Sequence, residues 1–370
     1  MKIGVPKEIK DREYRVGLSP DCIRALVQRG HQIWVQKDAA HKVGFYDDDY
    51  EQAGATVVDT AAEVFQQAHL IVKVKEPLPQ EFKLLNKQHT LFTFLHLAPN
   101  IALTDALLDS ECIAIAYESV TDDNGRFPLL APMSEIAGRL SVQVGAHLLE
   151  MRQGGRGVLL GGATKTSKGK VLVLGGGVVG RNAAQIAVGM GAQVTIVDQS
   201  PDCLNSLETQ FGDKVTALQS SRETIAAQIR DADLVIGAAM APNANAPKLI
   251  TRSMLKTMNN GAVLVDVAID QGGCSETSRP TSHSNPSYVE CGVIHYCVSN
   301  IPGAVARTST LALNNATLPF VTELADKGCH QALAENSYLR DGVNVYQGKL
   351  TQAAIAKDQN KPFYEISELL

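Results

Sequence analysis

The stretch from Lys170 to Asp198 limits the possible folds of this chain more than any other. An apolar run, Val171-Leu-Val-Leu174, feeds directly into Gly175-Gly-Gly-Val-Val-Gly180, and a second apolar run closes on the acidic Asp198. Strand, glycine turn, helix and strand-end acid in that order form the fingerprint of a dinucleotide-binding βαβ unit. Gly175 suits the tight turn, Gly177 lets the backbone approach a pyrophosphate, and Gly180 lets helix and sheet pack closely. The spacing predicts a helix from about Val178 to Met190, with Gly191 at its C-terminal cap and its first N–H groups facing the phosphates. Asp198 lies at the distance expected of a carboxylate that binds the adenosine ribose, and it would repel a 2′-phosphate. No Arg or Lys stands at Gln199 or Ser200, so the fingerprint favours NAD over NADP.

A length of 370 residues suggests two domains. The 34 basic and 39 acidic residues leave a net charge of −5, and no basic run marks a nucleic-acid surface. The N-terminus meets charge too early for a signal peptide, and no apolar stretch is long enough to span a membrane, so a soluble cytoplasmic protein is expected. Seven widely spaced cysteines form no CxxC pair and read as buried thiols. No HExxH or similar ligand pairing points to a metal.

Strand-like and helix-like segments alternate throughout, which predicts an α/β fold. Strands are expected near residues 2–5, 32–36, 70–74, 91–95 and 112–116. In the middle portion they are expected near 171–174, 194–197, 215–218, 234–237, 262–267 and 294–298, six strands making a doubly wound sheet. Ser19-Pro20 reads as an N-cap and first turn of a helix ending at Gly30. A longer helix over 133–150, with Ser134 placed to cap it, is expected to join two domains. The glycines at 154–157 and 161–162 read as a flexible connection. The residues from Ile301 onward are largely helical, with one strand at 343–346, and have too little apolar surface to stand alone. They are expected to pack on the first portion. The predicted architecture is therefore two Rossmann-like domains, with a central NAD-binding domain (131–304) inserted into a discontinuous substrate domain (1–130 and 305–370).

A nicotinamide enzyme needs a proton-handling group and cations for an anionic substrate. His96 follows the apolar run Leu91–Leu95, and a histidine at that strand edge would open onto the ligand crevice. Alternation puts Lys73 and Lys75 on the same side of the preceding strand edge, which allows one of them to be a solvated face. Arg15 stands just before the helix at Pro20 and suits bidentate carboxylate binding. Asp270 leaves the C-terminal end of the 262–267 strand, near the expected nicotinamide, whereas Asp266 within that strand reads as structural.

Several long motifs occur in order: Met1–Glu8, Arg15–Pro20, Lys73–Pro77, Met133–Arg139, Asp266–Gly273 and His295–Gly303. On these the chain resembles the alanine dehydrogenases over nearly its full length. The resemblance implies reversible NAD-dependent oxidative deamination of L-alanine to pyruvate and ammonium by a homohexamer. It implies that Arg15 and Lys75 hold the substrate and that His96 and Asp270 act as the acid/base pair. It also places Ser134, Val178, Val179, Asp198, Ser220, Met240, Val267, Ile269, Asp270, Arg279, Val298 and Asn300 at the cofactor, beside Gly175, Gly177 and Gly180. The chain departs from relatives at Cys203, where a basic residue is usual near the adenosine, and in the segments 163–168 and 240–245. The family's divalent-metal positions are not retained around Glu323 and Lys327, so no required metal is expected. Alternative readings are the NAD(H)-binding subunit of a proton-translocating transhydrogenase, a saccharopine- or lysine-type dehydrogenase, and a noncatalytic NAD-responsive protein.

Overall fold

Short runs of apolar residues, several buried on both faces, make the strands of two mostly parallel sheets, as helices covering both sheet faces require. The computed structural model describes residues 1–239 and 246–370. The chain divides into unit 1, Met1–Met133 with Val305–Leu370, and unit 2, Ser134–Ala304. The strands of unit 1 are β1 (Lys2–Val5), β2 (Gln32–Gln36), β3 (Thr56–Val58), β4 (Leu70–Val72), β5 (Thr90–Thr93) and β6 (Ile113–Ala116). Unit 2 contributes β7 (Lys170–Leu174), β8 (Gln193–Asp198), β9 (Val215–Gln219), β10 (Leu234–Gly237), β11 (Val263–Asp266), β12 (Ser287–Glu290) and β13 (Val293–Tyr296). The chain then returns to unit 1 for β14 (Val343–Tyr346) and β15 (Lys349–Leu350).

Unit 1 has the order β15-β14-β6-β5-β4-β1-β2-β3, with β1 to β6 parallel and β14 antiparallel to β6. Unit 2 has the order β12-β13-β11-β10-β7-β8-β9, with only β12 antiparallel. Each sheet is therefore a doubly wound 3-2-1-4-5-6 arrangement carrying added antiparallel edge strands. The strand order reverses between β1 and β4 in unit 1 and between β7 and β10 in unit 2. At such a point the loops on the two sides diverge and leave a crevice at the carboxyl ends of the strands.

The C-terminal segment completes the core of unit 1: Val345, Leu350 and Ala356 pack in one cluster with Leu91, Leu103, Leu107 and Ala114. Each fully buried Val or Leu side chain here contributes about 1.5–3 kcal/mol. In unit 2, Leu172, Val235 and Leu264 of neighbouring strands pack against Ile225, Ile229, Ile250 and Leu255.

Some elements differ from the sequence reading. The strand expected over 70–74 ends at Val72, and that expected over 91–95 ends at Thr93, which leaves Lys73, Lys75 and His96 in the loops that follow. β3, β12 and β15 were not expected. Both antiparallel edges close through two-residue hairpins, Cys291-Gly292 (φ +54° and +76°) and Gln347-Gly348 (φ +49° and +79°). Positive φ at both central residues is the type I′ geometry that matches strand twist. The helix expected over 133–150 runs from Ala131 to Leu148, so Ser134 lies inside its first turn and is not its cap. Ser19 precedes the helix Pro20–Gln28 but makes no side-chain cap bond. The glycines after Leu148 are tightly packed: a Cβ on Gly155 would lie 2.2 Å from the Leu148 carbonyl oxygen, and one on Gly161 2.6 Å from that of Met190. Of the seven free cysteines, Cys203, Cys291 and Cys329 are only partly buried. Among the described residues no helix is long and apolar enough to cross a membrane.

The glycine turn yields a paired expectation. A Cβ on Gly180 would lie 1.8 Å from the Gly175 carbonyl oxygen, whereas one on Gly177 would meet nothing within 4 Å. Gly180→Ala should cost about 1–3 kcal/mol or more by overpacking. Gly177→Ala, at φ −68°, should change stability by less than about 1 kcal/mol. Urea unfolding of both variants checks this, and equal costs would contradict the packing argument.

Candidate active site

In unit 1 the charged residues gather where β1, β4, β5 and β6 end. The loop after β1 carries Glu8, Glu13 and Arg15, and the loop after β4 carries Lys73, Lys75 and Glu76, on the two sides of the crossover. Arg15 is buried, and its Nε and Nη2 donate to Glu13 Oε1 and Oε2 at 2.7 and 2.6 Å, with Nη1 3.1 Å from the Met133 sulfur. Burial alone would raise the Glu13 pKa, but the Arg15 hydrogen bonds and charge, helped by Lys75, hold it down at about 2. One fork of the guanidinium is thus engaged by Glu13.

Lys75 is buried, its Nζ 5.8 Å from the centre of the Phe94 ring. Burial, and then the charge of Arg15, pull its pKa below the ordinary lysine value. Lys73 is not the solvated face that alternation allowed. It is fully buried, and its Nζ donates to Glu81 at 2.8 Å and Glu8 at 3.3 Å. Burial opposes its charge, but the two carboxylates outweigh that and keep it protonated. The other oxygen of Glu8 accepts the N–H groups of Val74 and Lys75 at 2.6 and 3.2 Å, fixing the loop that carries Lys75.

His96 lies three residues beyond β5, half-exposed, in the left-handed region at φ +49°. A non-glycine residue there needs compensation. Glu118, just after β6, supplies it by accepting the N–H groups of Leu95 and His96 at 3.1 and 2.7 Å. The imidazole stacks on Phe94, ring centres 5.8 Å apart, and its Nδ1 is 3.9 Å from Glu118 Oε1. Phe94 therefore contacts both Lys75 and His96. The structure brings Arg15, Lys75 and His96 to one edge of the unit 1 sheet.

In unit 2, Gly175 turns at φ +101°, and a Cβ there would lie 2.8 Å from the Ala238 carbonyl. Gly177 is the N-cap of the helix Val178–Gly189, with no side chain capping its first N–H groups. Those groups open onto a cavity of about 430 Å³ lined by Glu135, Gly176, Gly177, Val178, Arg181, Asn182 and Cys203. An open glycine at an uncapped helix N-terminus fits a phosphate. Asp198 ends β8 and accepts the N–H groups of Gly176 and Ser200 at 2.6 and 2.8 Å. Its orientation is thus set by the glycine turn. Ser220 follows β9, and its N–H donates to the Asp198 carbonyl at 2.8 Å. Val179 is buried, while Val178 is exposed.

Asp270 is exposed in a 3₁₀ turn, Val267–Gln271, which also carries Val267 and the buried Ile269. Asp266, at the end of β11, anchors the loop beyond that turn through the Cys274 N–H at 2.8 Å and the Ser278 hydroxyl. The Arg279 guanidinium stacks over Tyr288 at 3.9 Å. Val298 is buried in a bridge to Thr281. Asn300 adopts φ +66°, its carbonyl oxygen 3.1 Å from His283 Nε2. Met240 lies outside the described residues.

Comparison with known proteins matches residues 4–137 to the family described as "Alanine dehydrogenase/PNT, N-terminal domain" and residues 141–353 to its C-terminal domain. The chain belongs to this family. It is 52% identical to an alanine dehydrogenase of Halomonas elongata over 370 residues, the whole of both chains, and 51% identical to one of Methanococcus maripaludis over 98% of each. Among solved structures, an L-alanine dehydrogenase at 51% identity superposes with a TM-score of 0.94 over 97% of this chain and 99% of that one. A transhydrogenase from Sinorhizobium meliloti shares the fold at 23% identity, TM-score 0.83, covering 96% and 100%.

The carboxylates Glu8, Glu13, Glu81 and Glu118 went unnoticed in the sequence, because nothing in their spacing shows which cation or backbone N–H they meet. Only Glu13, two residues before Arg15, gave a local signal. Around Glu323, Lys327 bonds Glu323 at 2.8 Å and Glu335 at 2.9 Å, an ammonium between two carboxylates. Among the described residues no group of three His, Cys, Asp or Glu is arranged to hold a metal ion.

The Arg15–Glu13 pair gives a pH expectation. A carboxylate held at about 2 in the folded chain against an ordinary 4.5 stabilises fully above 4.5, and that contribution fades as pH falls toward 2. In urea unfolding, the advantage of the native protein over Glu13→Gln should shrink by about 1.4 kcal/mol per pH unit below 4.5. A constant difference between pH 5 and pH 3 would contradict it.

Proposed function

We propose that this chain catalyses the reversible, NAD-dependent oxidative deamination of L-alanine to pyruvate and ammonium. Identity of about half with alanine dehydrogenases over their full length carries the reading. Two buried cations at a crossover crevice, beside a histidine, support a small carboxylate as substrate. The cofactor, when bound, accepts hydride from the alanine α-carbon or returns it. Gly177 and the N-terminus of the helix Val178–Gly189 would hold its pyrophosphate, and Asp198 its adenosine ribose. The family resemblance further assigns Ser134, Val178, Val179, Ser220, Met240, Val267, Ile269, Asp270, Arg279, Val298 and Asn300 to the cofactor, beside Gly175 and Gly180 of the glycine turn.

Arg15 anchors the carboxylate, and Lys75 polarises the carbonyl oxygen of pyruvate. A lysine whose charge is destabilised by burial and by Arg15 gains most from a neighbouring anion or partial negative charge. Water adds to the iminium left by hydride loss, and His96, half-exposed and oriented by Glu118 and Phe94, moves the proton to and from the oxygen of the resulting carbinolamine, which releases ammonia to give pyruvate. The family resemblance assigns Asp270 to proton transfer. Cytoplasmic location and homohexameric assembly belong to the same reading, and sedimentation equilibrium tests the assembly.

Purified protein with NAD and a panel of amino acids, followed by nicotinamide absorbance, tests the reading. L-Alanine should be the preferred substrate, and preference for lysine or saccharopine would displace it. His96→Ala should keep NADH binding and lose about 10²- to 10⁴-fold in kcat. Near-normal turnover removes His96 from the mechanism. NADP should be a poor substitute, and equal activity with NADP contradicts the role given to Asp198.

A further inference from the structure

The loop that carries Arg15 is fixed from the far end of the chain. The helix Ala306–Lys327 places Thr310 and Asn314 four residues apart on one face, both fully buried. Asn314 Oδ1 accepts the Ser19 N–H at 2.5 Å, and Nδ2 donates to the carbonyls of Val16 and Gly17 at 3.1 and 2.9 Å. Thr310 Oγ1 accepts the Val16 N–H at 3.4 Å. On the other side the loop has no slack, because a Cβ on Gly17 would lie 2.4 Å from the Val72 carbonyl oxygen at the end of β4. The N–H of Arg15 itself is held by Glu13 Oε1 at 3.1 Å. The backbone on both sides of Arg15 is therefore pinned.

Asparagine is a weak helix former, and a buried amide is costly unless its polar atoms are paired. Here both side-chain polar atoms bond a segment 295 to 298 residues earlier, and none of these bonds supports the helix itself. We propose that Asn314, assisted by Thr310, is a positioning residue for Arg15 that sets where the guanidinium meets the substrate carboxylate. The proposal rests on the reading of Arg15 as the carboxylate ligand. Asn314 acts through the loop, so it governs the binding of alanine and pyruvate and leaves cofactor binding alone.

Asn314→Asp keeps the acceptor for Ser19 but turns an acceptor toward two carbonyl oxygens. It should raise KM for pyruvate and L-alanine by about 10- to 100-fold, the scale of an ångström-sized misplacement. NADH affinity by fluorescence titration should be unchanged. Thr310→Val, a milder change, should raise the same KM values by a smaller factor. Arg15→Lys should raise them on its own, and Asn314→Asp added to Arg15→Lys should have less effect than in the native chain, because both act through one guanidinium. An unchanged KM in Thr310→Val, or in an Asn314→Asp protein that binds NADH at full stoichiometry, overturns the proposal, as do additive effects in the double variant. If Arg15→Lys leaves KM unchanged, the carboxylate reading itself fails and the proposal with it. A rise in Arg15→Lys without one in the other two variants sinks the positioning role alone.

Discussion

Buried positive charge at the carboxyl edge of a parallel sheet is the constraint on which unit 1 depends. Lys73, Lys75 and Arg15 all lie out of water, and each would be expelled or neutralised without a local partner. Lys73 has Glu8 and Glu81, and Arg15 has Glu13. Lys75 has no comparable close partner in an ion pair among the described residues, and its pKa falls accordingly. Removing one member of such a buried set costs about 3–5 kcal/mol, since the charge left behind is uncompensated.

These pairs also act as stitches. Glu8 follows β1, Lys73 follows β4, and Glu81 lies in the short helix Pro79–Phe82, so one charge cluster ties the loops on the two sides of the crossover. Glu118 does the same between the ends of β5 and β6 by accepting the N–H groups before and at His96. A crevice whose walls are cross-linked in this way keeps its side chains in fixed relative positions before any ligand arrives. That preorganisation avoids reordering the site when substrate binds.

The parallel strands other than β3 were legible because each is a short apolar run bounded by glycine, proline or charge, and because the glycine turn at Gly175 to Gly180 fixes one crossover. The outermost antiparallel strands β12 and β15 were not. Their turns, Cys291-Gly292 and Gln347-Gly348, put a residue other than Asn or Asp at a positive φ, so the usual Asn-Gly signal is missing. Ser134 misled because a serine ahead of an apolar stripe resembles a cap, while the helix had begun at Ala131. The glycines near 155 and 161 look loose in sequence, yet they sit against carbonyl oxygens where any side chain would collide. In the candidate site the ionisable residues could be picked out by type and strand-end position. Their partners could not, because Glu8 meets Lys73 and Glu118 meets His96 only through the strand order, which spacing does not encode.

The contrast between Arg15 and Lys75 bears on how such a site discriminates among ligands. Glu13 engages one fork of Arg15 and offsets part of its charge, so the guanidinium's main contribution is directed donors. Lys75 differs, because burial and Arg15 disfavour its charge. A carboxylate placed against both would relieve that penalty, whereas a neutral ligand would leave it in place. Under the proposed function, a preference for a small carboxylate comes less from the number of cations than from the burial penalty that Lys75 carries.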